Sequence, residues 1–276
     1  MRKRFFALKL AAATILSLAG TASADTVLNF TQTFPGSGSI NTALFNTNMQ
    51  QPTGSGVIQS FVRIGEAPSA EVQGYNTDAR PLQFNENTSA TFTHSLNRDT
   101  LQSTVINGVS YYQFLLDINQ NNSQVPEMYL SLNELQIFQG NSGSLTNATV
   151  NGTTGLLSFG ANATLVYDMD GADDSNPNTS SRIDLNYDFN SGSGSGDMYA
   201  YIPTALFTGP NKWIYLYSKF GADPYGNNDG YEEWAAVTGP NSPPPPVVPL
   251  PLAAWGGMAL CGFVGASKLR KRSQLD

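Results

Sequence analysis

The chain has 276 residues, one histidine, one cysteine and a formal net charge of −7. Eight of its 14 Lys and Arg residues (Arg2, Lys3, Arg4, Lys9, Lys268, Arg270, Lys271 and Arg272) lie at the two ends, and every acidic residue but Asp276 lies between them, so the interior carries about −14. That charge argues against nucleic acid and anionic lipid as partners of the interior, and with Cys261 as the sole cysteine the interior has neither a disulfide nor thiol chemistry.

Residues 1–24 read as a secretory signal peptide. Arg2, Lys3 and Arg4 form a basic start, 8–20 is mostly apolar, and Ala22-Ser23-Ala24 is a small-residue cleavage site that places the cut between Ala24 and Asp25. Such a segment is handled by the Sec machinery, and the mature chain is expected outside the cytoplasm. An exported chain without cysteines holds itself by packing, or by packing plus bound ions.

Residues 25–239 are long enough to bury a core as one domain. They are rich in Gly, Asn, Ser, Thr and Tyr and poor in Lys, Glu and Ala, which disfavours long helices and favours strands. Strands are predicted at 56–64, 91–95, 110–118, 130–138, 155–159, 163–167, 182–189, 198–202, 212–220 and 234–237. In 182–189, Ile183, Leu185, Tyr187 and Phe189 alternate with Asp184, Asn186 and Asp188, which predicts one buried and one wet face. In 212–220 both alternating sets are largely apolar, which predicts a central strand. Ten short strands separated by Gly, Asn and Asp turns imply an all-β fold, an antiparallel β-sandwich with a jelly roll as one version. Residues 190–196 read as a flexible Gly/Ser segment.

Two acidic clusters offer oxygen ligands at the close spacing a hard cation such as calcium requires. The first is Asp168, Asp170, Asp173, Asp174 and Asn176; the second is Asp223, Asn227, Asn228, Asp229, Glu232 and Glu233. The first does not follow the EF-hand pattern, and a solvated acidic turn is its alternative; at the second the alternative is a structural turn at Asp229-Gly230 anchored by the flanking aromatics. Covalent catalysis has little support: His94 is the single histidine, and no Gly-x-Ser-x-Gly elbow lies near it. The expectation is a protein that is not an enzyme, the alternative being an extracellular polysaccharide hydrolase using paired carboxylates. Tyr111, Tyr112, Tyr199, Tyr201, Trp213, Tyr215 and Tyr217 fall on predicted strands, where they either fill the core or stack on carbohydrate.

The C-terminal stretch begins with a Pro-rich linker at 240–247 containing Pro243 to Pro246, an extended spacer. There follow Val248-Pro249-Leu250-Pro251, an uncharged apolar stretch to Ala266, and the basic end Lys268, Arg270, Lys271 and Arg272. The apolar stretch is near the minimum length for a single transmembrane helix, in which its glycines are tolerated, and the basic end should stay cytoplasmic.

This layout at 248–272 resembles the PEP-CTERM sorting signal of Gram-negative bacteria, in a variant with Leu250 where the family's Pro-Glu-Pro core has Glu. The body is similar to some PEP-CTERM proteins at 74–78 (Gly-Tyr-Asn-Thr-Asp), 114–119, 130–137 and 228–234. The resemblance implies an exosortase as partner, transient residence in the inner membrane through the C-terminal helix, and a final place in the cell envelope or an exopolysaccharide or biofilm matrix. It implies no activity for the body.

Overall fold

The computed structural model describes residues 26–47, 59–65, 71–121, 123–171, 181–192 and 196–237. The signal peptide, the cleavage site, the Pro-rich linker and the whole sorting signal lie outside the described residues. Among the described residues, no helix is long and apolar enough to cross a membrane.

The described chain is all-β. Its strands are β1 (Val27–Asn29), β2 (Ser37–Ile40), β3 (Ala43–Asn46), β4 (Ser60–Ile64), β5 (Val72–Tyr75), β6 (Leu96–Asn97), β7 (Ser103–Ile106), β8 (Val109–Asp117), β9 (Tyr129–Gly140), β10 (Thr149–Val150), β11 (Leu157–Ser158), β12 (Ala163–Asp168), β13 (Arg182–Asn186), β14 (Met198–Pro203), β15 (Trp213–Phe220) and β16 (Glu232–Ala236). One seven-stranded sheet runs β1-β13-β9-β15-β5, with β12 also paired to β9 and β6 to β15. The other runs β2-β3-β14-β8-β16-β4, with β7 also paired to β8, and β10 and β11 form a separate hairpin. The pairings are antiparallel except β1 on β13.

One apolar cluster joins both sheets: Phe45, Phe114, Leu116 and Trp234 from the second pack with Leu130, Leu132, Ile137, Leu216 and Phe220 from the first. Each such side chain contributes about 1.5–3 kcal/mol on burial. Trp234 also donates its indole N–H to Ser218 Oγ at 3.0 Å, a hydrogen bond linking β16 to β15 between completely buried side chains.

β9 is buried along its entire length because β13 and β12 share one edge and β15 takes the other. Its polar side chains are engaged: Gln136 Oε1 accepts from Leu157 N at 2.9 Å, and Asn133 Nδ2 donates to Asp223 O at 2.7 Å. A second cluster (Tyr75, Phe138, Leu157, Phe159, Tyr215 and Tyr217) lies on this sheet, with β11 and the turn after it packed against the rings. Tyr215 and Tyr217 are core residues, and β15, inside its sheet, is the interior strand that its apolar alternation predicts.

Four expectations are corrected. Residues 91–95 form a turn, since Ser89 O accepts from both Phe92 N and Thr93 N and folds the chain back. The strand predicted at 182–189 stops at Asn186, whose side chain accepts from Asp188 N at 3.0 Å and starts a 3₁₀ turn over Tyr187–Phe189. Its polar face is wet at Asp188 but not at Asp184, which is buried and accepts from Ser131 Oγ at 2.8 Å, because β13 is covered by neighbours on both edges. In 155–159 only Leu157–Ser158 is strand, Gly155 having a positive φ of 69°.

Candidate functional site

The first carboxylate set forms where β12 runs along β9. Leu165 pairs with Phe138, but a bulge then inserts Val166, so that Tyr167 pairs with Ile137 and Asp168 with Gln136. The extra residue reverses which face each following side chain meets. Tyr167 turns into the inter-sheet core, while Asp168 joins the face that carries Gln136 and, two residues away, Glu134. Asp170 follows with the same period. Carboxylate oxygens of Glu134, Asp168 and Asp170 lie within 4.8 Å of one another, with Glu134 and Asp170 buried and Asp168 half-buried.

The surroundings fix this arrangement. Asp170 N donates to Asp168 Oδ1 at 3.1 Å, and Met169 N donates to Leu135 O at 3.0 Å, which holds the segment against β9. Asn41, in the β2–β3 turn, donates to Met169 O at 2.8 Å. Gln136 Nε2 donates to Glu134 Oε2 at 3.1 Å. Gly155 closes over Glu134, where a β-carbon would collide with Oε1. The charges of Asp168 and Asp170 add to burial in pushing the Tyr167 phenol well above its ordinary value. The donors are oxygens at a spacing that suits a hard cation of calcium type.

Of the predicted first cluster, the structure therefore brings together Asp168 and Asp170, while Asp173, Asp174 and Asn176 lie outside the described residues. Glu134 escaped sequence reading, although an acid inside the apolar run 130–138 was a usable signal. The second predicted cluster does not converge. Asp223 and Asp229 are exposed, and Asp229 Oδ1 accepts from Gly230 N at 2.8 Å. Asn227 is buried and accepts from Gln120 Nε2 at 3.1 Å, and Asn228 Nδ2 donates to Glu127 O at 2.6 Å.

Glu232 and Glu233 are both buried, with different partners. Glu233 forms an ion pair with Arg63, whose guanidinium lies 3.5 Å from the centre of the Phe92 ring. Glu232 turns toward the segment after β8, where its Oε2 accepts from Asn119 N at 3.1 Å. Burial, then the charges of Asp117, Asp197 and Glu233, push its pKa well above the carboxylate range.

The aromatic candidates divide. Tyr215 and Tyr217 are walled into the second cluster, and burial raises the Tyr215 phenol to about 12 and pushes that of Tyr217 well above its ordinary value. Tyr199 and Tyr201 are half-buried neighbours on β14, 5.9 Å apart, and Tyr111 on β8 stands 6.4 Å from Tyr201. His94 is half-buried with Nδ1 2.9 Å from Ser95 O. Ser95 Oγ donates to Asp78 Oδ2 at 2.7 Å.

No protein-family model, curated protein or solved structure matches this chain.

Proposed function

We propose that this chain is an exported cell-envelope or extracellular-matrix protein of a Gram-negative bacterium, sorted by an exosortase, whose body binds or builds and does not catalyse. The observation that carries the reading is the pairing of its ends: a signal-peptide pattern at 1–24, and at 248–272 a Val-Pro-Leu-Pro motif, an uncharged apolar stretch and a basic end. The two sheets around one shared core support a β-sandwich body. That body associates with exopolysaccharide through half-exposed rings, for which Tyr199 and Tyr201 are the surface candidates.

The placement of the acids favours binding over hydrolysis. A glycosidase needs two carboxyl groups flanking a bond that a polymer can reach, whereas the sets at Glu134 and Glu232 are largely buried. The concavity bounded by Phe30, Phe34, Leu185, Phe189 and Asp197 contains a single carboxylate. Glu134, Asp168 and Asp170 suit a structural calcium ion, which would stiffen an exported chain that has no disulfide in its body.

Intact-mass measurement of the protein recovered from its native host tests the export and sorting reading. The expected species begins at Asp25 and ends near Val248–Pro251. Recovery of Cys261 in the final extracellular form contradicts processing.

A further inference from the structure

Residues from both sheets enclose a concavity of about 230 Å³, part of it open to solvent. Phe34 comes to it from the loop between β1 and β2, and Phe189 from the 3₁₀ turn after β13. Their rings stand 5.3 Å apart at a tilt of 32°, and they are 45% and 38% exposed. Phe30 and Leu185 add buried apolar surface. Asp197, just before β14, lines the same concavity and is buried. Its Oδ2 accepts from Ile118 N at 2.8 Å, whereas its Oδ1 is sealed from bulk water and has no hydrogen-bond partner.

The other polar side chains of the lining are engaged within the fold. Thr47 Oγ1 accepts from Gly36 N at 2.7 Å and donates to Gly36 O at 3.3 Å. Asn186 Oδ1 accepts from Asp188 N and its Nδ2 donates to Thr31 O, both at 3.0 Å, and Asn190 Nδ2 donates to Gly196 O at 2.6 Å. No cation of the interior is left for Asp197 either. Arg63 pairs with Glu233, Arg182 with Asp184, Lys212 with Asp99 and Lys219 with Glu71, while Arg80 and Arg98 donate to backbone carbonyls. Ionisation therefore leaves Asp197 a buried charge without a counter-ion from its own fold, and protonation leaves an O–H without an acceptor. Both states are costly, and a cation supplied from outside relieves the first.

We propose that this concavity binds a primary alkylammonium group, its nitrogen on Asp197 Oδ1 and its methylene stem against Phe34 and Phe189. An ammonium is compact and carries only donors, which suits a single buried acceptor. An apolar stem packs on ring surface, and the rings attract the charge at its end. The volume lies below the roughly 300–1,000 Å³ of pockets for drug-sized ligands and fits one unbranched chain. The lining selects against other occupants. A sugar ring would bring several hydroxyls to polar groups that are already paired, a guanidinium fork calls for two acceptors, and a metal ion calls for several oxygens where one carboxylate stands. Both rings have an outer side in solvent, so side-chain rotation opens the way to Oδ1. The net charge of about −14 on the interior draws cations toward it. A free amine and the Lys side chain of another protein share this chemistry, and neither depends on association with polysaccharide through Tyr199 and Tyr201.

The test is a ligand-observed NMR titration of the full chain in phosphate buffer with n-butylammonium chloride, and with 1-butanol as the uncharged ligand of the same stem. It is run on the unaltered protein, Asp197→Asn and the double variant Phe34→Ala/Phe189→Ala. Butylammonium should saturate the unaltered chain in the millimolar range, butanol should bind roughly tenfold more weakly, and each variant should weaken butylammonium by roughly tenfold. Should Asp197→Asn fail to fold, the double variant still decides, because both of its rings are partly in solvent and their loss leaves the core in place. Butanol binding as well as butylammonium reduces the concavity to an apolar notch and overturns the proposal. So does butylammonium binding that neither variant weakens, which places the amine elsewhere on the acidic surface, and so does a lack of saturation up to about 100 mM, which leaves Asp197 holding a proton only. Parallel titrations with cadaverine and with Nα-acetyl-lysine N-methylamide separate the two sources. The tighter of the two identifies a free amine or a protein lysine, and its affinity must fall in the same variants.

Discussion

Replacing Glu134 by Gln should reverse sign between two media. The carboxylate oxygens of Glu134, Asp168 and Asp170 stand within 4.8 Å of one another, and at an effective dielectric near 20 each ionised pair at that distance repels by about 3.5 kcal/mol before relaxation. A calcium ion offsets this repulsion. With a Kd of about 10⁻⁴ M, typical of extracellular modules, calcium at about 100-fold excess over Kd stabilises the folded chain by about 2.7 kcal/mol. For a body of roughly 200 residues each kcal/mol moves the melting midpoint by about 2–4 °C, so this site alone raises it by roughly 5–11 °C. Glu134→Gln removes one repelling charge and one anionic ligand. Its midpoint in EDTA should therefore exceed that of the unaltered chain, while its gain from calcium should shrink by at least half. Differential scanning calorimetry in 10 mM calcium and in EDTA reads both. A substitution that lowers the midpoint equally in the two media would show that Glu134 is only a packing residue and refute the reasoning.

Three further outcomes are expected. Trp234→Phe removes the hydrogen bond to Ser218 and leaves a void between the sheets, and should cost about 2–3 kcal/mol by urea unfolding with an unchanged m-value. In EDTA the midpoint should fall as pH rises, because the folded-state pKa values of Asp197 and Glu232 are raised; their stabilisation is full below about pH 4 and is lost as pH climbs through the raised values, and the double variant Asp197→Asn/Glu232→Gln should flatten that slope. Tyr199→Ala combined with Tyr201→Ala should weaken retention on the host's exopolysaccharide by roughly fivefold, about 1 kcal/mol for lost ring stacking, without shifting the melt by more than a few degrees.

The strands that could be read from sequence are those whose apolar pattern is long enough to show. β8, β9, β12, β14, β15 and β16 fall within a few residues of the predicted segments. β2 could not be read, because Ser37-Gly38-Ser39-Ile40 has almost no apolar pattern. Its glycines are there for contact: a β-carbon at Gly38 would meet Leu28, and one at Gly36 would meet Phe30. The ends of strands were misjudged where a side chain competes with the ladder, as Asn186 does before Tyr187. The carboxylate sets were only half legible for a different reason. Spacing along the chain found Asp168 and Asp170, but their partner Glu134 lies 34 residues earlier and is brought over by strand pairing and one bulge. Likewise Glu232 was grouped with its sequence neighbours, whereas its side chain is buried and accepts from Asn119 N, more than 100 residues earlier.

The measurement closest to the central claim is incubation of the purified protein with the host's own exopolysaccharide, following both retention on the polymer and release of reducing ends. The account predicts retention that weakens when Tyr199 and Tyr201 are replaced, with no release over the background of buffer alone. Steady release of reducing ends, abolished by replacing one or two carboxylates, would contradict it and establish a hydrolase.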